Sequence, residues 1–372
     1  MELVKRINKE TESHFVTSAL TPWTLLLVMS LGGSNTTRQE IQEVLHLPHK
    51  SCFVYLYLEL VTLVTMKPTN PVLSMFERGS TIFFNASESP NQHFFDVLSK
   101  AGIYSSRIMY FMDQNETAQS INEHVKSFTD GSIQHVLKAD DLDGLSILTI
   151  DAVTFRGAWK VPFPYEDTAT GVFYNDKGEP IGHISLMYLC ASYKVLSIPQ
   201  IRAKVLELPY FGDHSNGHSM LIFLPDYNVS VTTTLELMMK INVRIIFKLY
   251  ELSKPRNITV QIPRFNISSR IGNWKELLIS MGIKGLFEEE EGDFPGVTNY
   301  QLFLTNLIQK AELQVNEEGM EVGRPTATLM QSRFMYDEFV ANKPFLFMIA
   351  DRIQHVPIIM GAYTKPSFFS GE

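Results

Sequence analysis

The sequence has little cysteine, and it lacks any run of basic residues. Its 372 residues include two cysteines, Cys52 and Cys190, which lie far apart and form no C-x-x-C pair. This spacing excludes a cysteine metal or redox motif and allows one disulfide at most, so we expect two buried free thiols. Lysine and arginine are scattered without three in a row, and the net charge is -8. Nucleic acid and anionic membranes are therefore disfavoured as default partners.

No hydrophobic stretch is long enough to cross a bilayer, and the first residues lack the apolar core of a secretory leader. Six N-x-S/T sequons nevertheless indicate a glycosylated protein of the secretory route, since about two would arise by chance. The sequon asparagines are Asn35, Asn85, Asn115, Asn228, Asn257 and Asn266. We predict an extracellular or cell-surface exposed protein, with an intracellular location as the alternative.

Motifs of common enzymes are also absent. The chain has no G-x-S-x-G, G-x-G-x-x-G, P-loop or H-E-x-x-H pattern. His46 with His49, and His214 with His218, are spaced so that two imidazoles could meet, but no third ligand accompanies either pair. We interpret these histidines as solvated surface residues, and the acidic run at 288–291 as an exposed loop rather than a calcium site. We therefore expect no catalysis, no metal and no cofactor.

The order of the predicted elements indicates the fold class. No linker or repeat divides the chain, so we predict one domain over residues 1–372. A helical pattern at 36–47 ends before Pro48. Another at 93–101 ends at Gly102, and a third at 117–128 ends near Asp130 and Gly131. From about Leu145 short β-rich runs dominate, beginning with the apolar run 145–155, which is typical of a strand buried on both faces. Helices first, then strands with interspersed helices, predict an α+β fold.

The segment 151–163, DAVTFRGAWKVPF, resembles a strand and turn found in serpins. Its Phe155, Gly157, Trp159 and Phe163 match the family pattern. Other segments similar to the family follow in family order, at 21–24, 120–137, 205–226, 260–269 and 342–345. The resemblance covers nearly the whole chain. It implies a serpin fold with three β-sheets, eight or nine helices and an exposed reactive-centre loop.

The resemblance places that loop at about residues 319–341. Glu317, Glu318 and Gly319 match the family hinge, and Gly319 precedes Asn342 by 23 positions, the spacing common in inhibitory members. On this register the reactive bond joins Arg333 and Phe334. An arginine there suits trypsin-like serine proteases, because a guanidinium pairs with the aspartate at the base of their specificity pocket.

The mechanism that the resemblance implies is covalent trapping of the protease. The protease serine forms an acyl-enzyme at Arg333, and the freed loop inserts as a new strand of the main sheet. The resemblance therefore predicts a suicide-substrate inhibitor that needs no cofactor.

The hinge departs from the pattern of inhibitory serpins, which have threonine or serine after the glycine and then small residues. Here Gly319 is followed by Met320, Glu321, Val322, Gly323, Arg324 and Pro325. Arg324 would bring a charge beneath the sheet, and Pro325 lacks the N–H that a central strand donates. A non-inhibitory serpin with a substrate-like, binding or carrier role is therefore the alternative. An enzyme is a second alternative, opposed by the missing motifs.

A polar region beneath the main sheet is also predicted from the resemblance. The family has asparagine and histidine where this chain has Asp151 and Gln309, two residues able to hydrogen-bond to each other. Thr21 and Thr24 replace serines nearby. We assign these four residues and Trp159 to the region where the sheet opens.

The partners follow from the same comparison. The helix that binds heparin in some serpins corresponds to the apolar run 52–66, which has only Lys50 and Lys67 at its margins. This argues against glycosaminoglycan binding, and burial is the favoured interpretation of the run, with a docking surface as the alternative. We expect a monomer whose partner is a trypsin-like serine protease.

Overall fold

The computed structural model describes residues 1–11, 13–48, 50–65, 74–86, 90–101, 105–109, 113–129, 131–142, 147–211, 217–287, 294–297, 303–318 and 337–367. These residues form nine α-helices and fourteen β-strands. The helices are α1 (Glu2–Glu10), α2 (Leu20–Gly32), α3 (Asn35–Val44), α4 (Ser51–Thr65), α5 (Gln92–Ala101), α6 (Gln114–Phe128), α7 (Val231–Met238), α8 (Arg244–Leu252) and α9 (Trp274–Met281). The strands are β1 (Phe15–Thr17), β2 (Ser74–Asn85), β3 (Ser105–Met109), β4 (Ile147–Gly157), β5 (Ala169–Tyr174), β6 (Pro180–Ile198), β7 (Ala203–Pro209), β8 (His218–Pro225), β9 (Arg256–Pro263), β10 (Phe265–Ile271), β11 (Leu304–Val315), β12 (Asp337–Val340), β13 (Phe345–Asp351) and β14 (Val356–Tyr363).

The helices begin and end where local chemistry satisfies their free backbone groups. Asp113 caps α6, because its Oδ1 accepts hydrogen bonds from the backbone N–H groups of Asn115 and Glu116 at 2.9 and 3.0 Å. Gly282 ends α9 with a φ of 113°, a left-handed conformation that glycine adopts without strain. The predicted helices at 36–47, 93–101 and 117–128 correspond to α3, α5 and α6, each shifted by one to three residues at its start.

A five-stranded sheet has the order β10-β11-β4-β2-β3. Its centre is a parallel pair, in which β11 runs beside β4 from Leu304 opposite Ile147 to Leu313 opposite Phe155. Both neighbours of this pair are antiparallel to it. All of β4 except Arg156 is buried, in agreement with the predicted strand covered on both faces.

The other described strands form a nine-stranded sheet with the path β1-β14-β13-β8-β7-β6-β9-β12, with β5 paired to β6. The long strand β6 pairs with β5 and β9 in its first part and with β7 from Lys194 to Ile198. It therefore joins the predicted second and third sheets into one hydrogen-bonded sheet. The α+β prediction is confirmed, and nine described helices agree with the predicted eight or nine.

The two sheets pack face to face through aromatic side chains. Phe265 of β10 contacts Phe347 and Tyr363 of the larger sheet, with ring centroids 5.7 and 5.2 Å apart. On its opposite face the five-stranded sheet is covered by α6, whose Ile121 and Val125 are fully buried against it. Burial of apolar surface of this kind is the dominant favourable term in the free energy of folding.

A glycine in β2 lets α6 approach the sheet closely. A Cβ atom on Gly79 would lie 1.7 Å from the ring of Phe128 at the end of α6, far too close for two atoms that are not bonded. Gly79 therefore provides the space into which the aromatic ring packs.

The helix α4 is buried on one side only. Val54, Leu58 and Val61 are buried, whereas Tyr55 and Leu56 are about half exposed. The predicted burial therefore holds for one side of the described part of the helix, whereas solvent covers Tyr55 and Leu56. Among the described residues no helix combines the length and apolar character needed to span a membrane.

Cys190 is a free, half-buried thiol. The side chain of Cys52 lies outside the described part of the structure.

Candidate functional site

A row of buried polar side chains crosses the centre of the five-stranded sheet. Gln309 on β11 and Asp151 on β4 are register partners, and Ser80 on β2 is the partner of Asp151 on its other side. Directly paired residues project to the same face, so these three side chains meet. Gln309 Nε2 donates to Asp151 Oδ2 at 2.9 Å, and Ser80 Oγ donates to Asp151 Oδ1 at 2.5 Å. We call these three residues the polar row; each is at most 3% exposed.

The amide of Gln309 also ties the sheet to the connection between β1 and α2. Its Oε1 accepts hydrogen bonds from the backbone N–H of Ser18 at 3.1 Å and from the Thr17 hydroxyl at 2.6 Å. Its Nε2 lies 2.9 Å from the Ser18 carbonyl and 2.8 Å from the Thr21 hydroxyl. Because a backbone N–H can only donate, the amide has one orientation, with Nε2 towards Asp151. The region is therefore closely satisfied despite complete burial.

Of the residues assigned from sequence to this region, Thr21, Asp151 and Gln309 lie together. Thr24 is equally buried, but its hydroxyl donates to the carbonyl of Leu20 one turn earlier in α2. Sequence reasoning missed Ser80, Thr17 and Ser18. In the sequence, Ser80 is visible only as a polar residue beside an apolar strand. Its contact with Asp151 depends on the pairing of β2 with β4, which the sequence does not reveal.

Trp159 lies past the end of β4, where it holds the residues that follow β11. Its backbone N–H donates to the Glu318 carbonyl at 3.0 Å, and its indole Nε1 donates to the Asn316 carbonyl at 2.8 Å. The backbone N–H of Phe163 donates to the Glu317 carbonyl at 2.9 Å. Residues 316–318, here called the hinge base, are therefore fastened by backbone and indole donors from the 159–163 segment.

The side chain of Glu317 is fully buried beside this attachment. Its Oε1 accepts a hydrogen bond from the Thr168 hydroxyl at 2.8 Å and lies 3.8 Å from Arg264 Nη1. Among the described residues Oε2 has no hydrogen-bond partner. A buried carboxylate depends on such partners, because removal from water is costly for a charge. Burial, together with the carboxylates of Glu318 and Glu317, raises the pKa of the nearby Tyr165.

Aromatic packing connects the hinge base to the nine-stranded sheet. Trp159 stacks on Tyr210 with centroids 4.5 Å apart, and Tyr210 contacts Phe155 of β4 at 4.8 Å. His218 packs edge-on against the same Phe155 at 5.5 Å and is 6% exposed. The interpretation of His218 as a solvated residue was therefore wrong, because β8 places it beneath this cluster. His46 is exposed as predicted.

Another histidine lies between α6 and the sheet. His124 Nε2 is 3.1 Å from the Thr81 hydroxyl of β2, and its ring packs edge-on against Phe83 and Phe128. Burial, followed by the charge of Arg107, lowers the pKa of His124. Burial likewise lowers the pKa of His14 and His218. All three therefore favour the neutral imidazole in the folded protein.

We expect acid to destabilise the protein as pH falls below 6.5, the ordinary histidine pKa. Below that value the unfolded chain binds more protons than the folded chain, so the stabilisation is complete above pH 6.5 and is lost as pH falls towards the folded pKa values. Urea midpoints measured on both sides of pH 6.5 test this. His124→Gln should flatten the dependence, whereas His46→Gln, at an exposed site, should leave it unchanged. A wild-type midpoint that does not change with pH would contradict the expectation.

The predicted reactive segment falls outside the described residues. Residues 319–336, which include Gly319, Met320, Glu321, Val322, Gly323, Arg324, Pro325, Arg333 and Phe334, are not described. The chain resumes at β12, which pairs in parallel with β9. Arg256 Nη1 lies 2.9 Å from Asp337 Oδ2 at the start of β12. The segment is thus bounded by two attached ends, the hinge base and β12.

The sequon asparagines are mostly at the surface. Asn35, Asn115, Asn228, Asn257 and Asn266 are exposed, and Asn85 is partly buried at the end of β2. Asn228 lies in a turn with a φ of 55°. No group of three or more potential metal ligands occurs among the described residues.

The chain resembles known proteins in both sequence and fold. The family model described as Serpin (serine protease inhibitor) matches residues 1–366. Human plasminogen activator inhibitor 2 is 29% identical over 301 residues, covering 78% of this chain and 71% of that protein. Serpin B5 of Rattus norvegicus is 26% identical over 374 residues, covering 98% and 97% of the two chains.

Among solved structures, Serpin48 of the insect Tenebrio molitor aligns with a TM-score of 0.82 and 23% identity, covering 98% of this chain and 95% of that one. That likeness establishes the shared fold. Together with the family match over nearly the entire sequence, it shows that this chain belongs to the serpin family of serine protease inhibitors, which are not enzymes.

Proposed function

We propose that this protein inhibits trypsin-like serine proteases by covalent trapping, with Arg333–Phe334 as the reactive bond. The observation that carries the proposal is the parallel pairing of β4 and β11 at the sheet centre, with the hinge base leaving the end of β11. A segment that folds back from that end runs antiparallel to both strands. It would replace one parallel ladder with two antiparallel ladders, which are slightly more stable per residue.

The proposed chemistry begins as ordinary proteolysis. The protease serine hydroxyl attacks the carbonyl carbon of Arg333 and forms an ester, and the bond to the Phe334 nitrogen breaks. The hydroxyl proton passes through the protease histidine to that nitrogen, which leaves as a free amine. Insertion of the freed segment must then precede hydrolysis of the ester, because hydrolysis would release active protease.

The described residues define what insertion must break. A strand entering between β4 and β11 separates Asp151 from Gln309 and removes their 2.9 Å hydrogen bond. It also separates the hinge base from its attachment at Trp159. We therefore propose that Asp151, Gln309 and Thr21 hold β4 and β11 together from beneath the sheet. Trp159 would hold the same two strands together at the end where the hinge base leaves β11. Thr24 has no such role, since it bonds within α2.

Mixing the protein with trypsin and separating the products on a denaturing gel tests the proposal. A trapped complex appears as a new band that survives denaturation, because an ester joins the two chains. The melting temperature of the cleaved protein should also greatly exceed that of the intact protein. Cleavage after Arg333 with no adduct and no change in melting temperature would contradict trapping.

The second candidate is a non-inhibitory serpin with a substrate-like, binding or carrier role. Arg324 and Pro325 favour it, because alternate residues of an inserted strand face the interior and a central strand needs every N–H. The double variant Arg324→Thr, Pro325→Ala distinguishes the two candidates. If only this variant forms the adduct, the natural chain is a substrate of trypsin and the second candidate holds.

Two observations on the cellular location of the protein point in opposite directions. Five exposed sequon asparagines support a glycosylated, extracellular protein. Similarity to relatives named serpin B5 and serpin B6 favours the intracellular alternative. A mass decrease on endoglycosidase treatment of protein from its natural source supports the first, and an unmodified mass supports the second.

Glycosaminoglycan binding through α4 is not part of the proposal. The residues of α4 described as exposed are Tyr55, Leu56, Glu59 and Leu60, none of them cationic.

A further inference from the structure

The helix α8 presents an apolar stripe to solvent. Its Ile246, Phe247 and Tyr250 are buried against the protein. On the opposite side Ile245, Leu249 and Leu252 are 49%, 39% and 83% exposed. Their i, i+4, i+7 spacing aligns them in one row along the helix. Single exposed aliphatic residues are common, but three aligned on one short helix form a continuous surface that resembles a binding face.

Cations border this stripe. Arg244 and Lys248 each precede a member of the stripe by one residue, so they form a second row beside it. Lys240 and Lys254 lie just before and after the helix, and all four cations are exposed.

These cations have no acidic counterpart within the described part of the chain. None of the four forms an ion pair there, and Glu251, the one acidic residue between 239 and 254, lies 3.3 Å from His355. The surface formed by the stripe and the four cations, here called the α8 face, is therefore positive in a chain of net charge -8.

We propose that the α8 face docks the protein on an anionic lipid surface. Lipid headgroups attract the cations, and the aliphatic stripe enters the boundary between headgroups and acyl chains. The remaining surface is acidic on average and is repelled by the same lipids, so the protein would bind in one orientation. Composition disfavoured such a partner, but composition averages over the surface and conceals a local patch. The proposal does not depend on protease inhibition.

Two other occupants fit the α8 face less well. A soluble polyanion such as a sulfated polysaccharide would pair with the cations but leave the stripe in water. In a dimer with a twofold axis through the α8 face, the row formed by Arg244 and Lys248 of one copy would lie against the same row of the other copy. Like charges oppose such an interface. Only an anionic lipid surface uses both rows.

Flotation of the full-length chain with phosphatidylcholine vesicles, with and without phosphatidylserine, tests the proposal. The charge variant is Arg244→Gln, Lys248→Gln, and the apolar variant is Leu249→Ser, Leu252→Ser. All four side chains are exposed, so both variants should fold. The control is Lys126→Gln, Lys138→Gln, which removes two exposed cations from in and near α6. We expect binding that requires phosphatidylserine and is weakened by about 25-fold in the charge variant, given a contribution of about fivefold per cation. The apolar variant should also bind at least tenfold more weakly, and the control should bind like wild type.

Every other outcome overturns the proposal. Absence of vesicle binding does so directly, and equal binding by the control and charge variants shows that net charge alone matters. If the apolar variant binds vesicles like wild type, the stripe does not enter the lipid and the attraction is electrostatic only. If sedimentation shows a wild-type dimer that the apolar variant lacks, the occupant is a second copy. Comparable folding of the variants is checked by their melting temperatures.

Discussion

Replacement of Arg333 by alanine is expected to slow the inhibition of trypsin by about a thousandfold or more. The specificity pocket of a trypsin-like protease ends in a buried aspartate, which pairs with a guanidinium through charge-assisted bonds. A residue that leaves such a polar group unpaired is rejected by a factor on the order of 10⁴. The measurement is the second-order rate constant for loss of trypsin activity, supported by the amount of denaturation-resistant adduct.

Two variants make this result specific to Arg333. Arg333→Lys preserves the positive charge and should retain inhibition within about tenfold, because lysine also satisfies the aspartate, though as a point charge. Arg324→Ala removes the other arginine of the segment and should not slow the first step. If Arg333→Ala inhibits trypsin like wild type, or if trypsin cleaves wild type at a bond other than Arg333–Phe334, the assigned reactive bond is wrong.

Replacement of Gln309 by leucine is expected to lower the free energy of unfolding by about 3–5 kcal/mol. Leucine has a similar size, but it removes the hydrogen bonds that Gln309 makes with the Ser18 N–H, the Thr17 hydroxyl and Asp151. Each buried polar group deprived of its hydrogen bond costs about 1–3 kcal/mol. The three groups are buried, so water cannot replace the amide. Urea unfolding of the intact protein measures the change.

Thr24→Val is the matched control for this substitution. Thr24 is as buried as Gln309, yet its hydroxyl bonds only to the Leu20 carbonyl, which is already an acceptor within α2. We expect a change below about 1 kcal/mol. A Gln309→Leu variant no less stable than Thr24→Val would show that the polar row does not hold the sheet closed.

Two of the three residues of the polar row were predicted from the sequence, and the third was not. The resemblance to serpins indicated Asp151 and Gln309 as residues beneath the sheet, because they occupy positions where the family has asparagine and histidine. It did not indicate Ser80, Thr17 or Ser18, which belong to other elements. Strand alternation tells which face a residue occupies, but the identity of its neighbour depends on the register between strands far apart in the chain.

The amino-acid sequence was enough to predict the family, the α+β class, the helices α3, α5 and α6, and the buried strand at 145–155 that the structure has as β4, because each depends on local patterns or on motifs in order. Burial of His218 and Glu317 required the folded chain, since both lie among residues that look solvated in sequence. The exposed stripe of α8 also required it, because the segment IIFKLYEL carries apolar residues all round the helix. Which of those residues meet the protein and which meet solvent depends on how α8 packs, and packing is a long-range property that no local pattern contains.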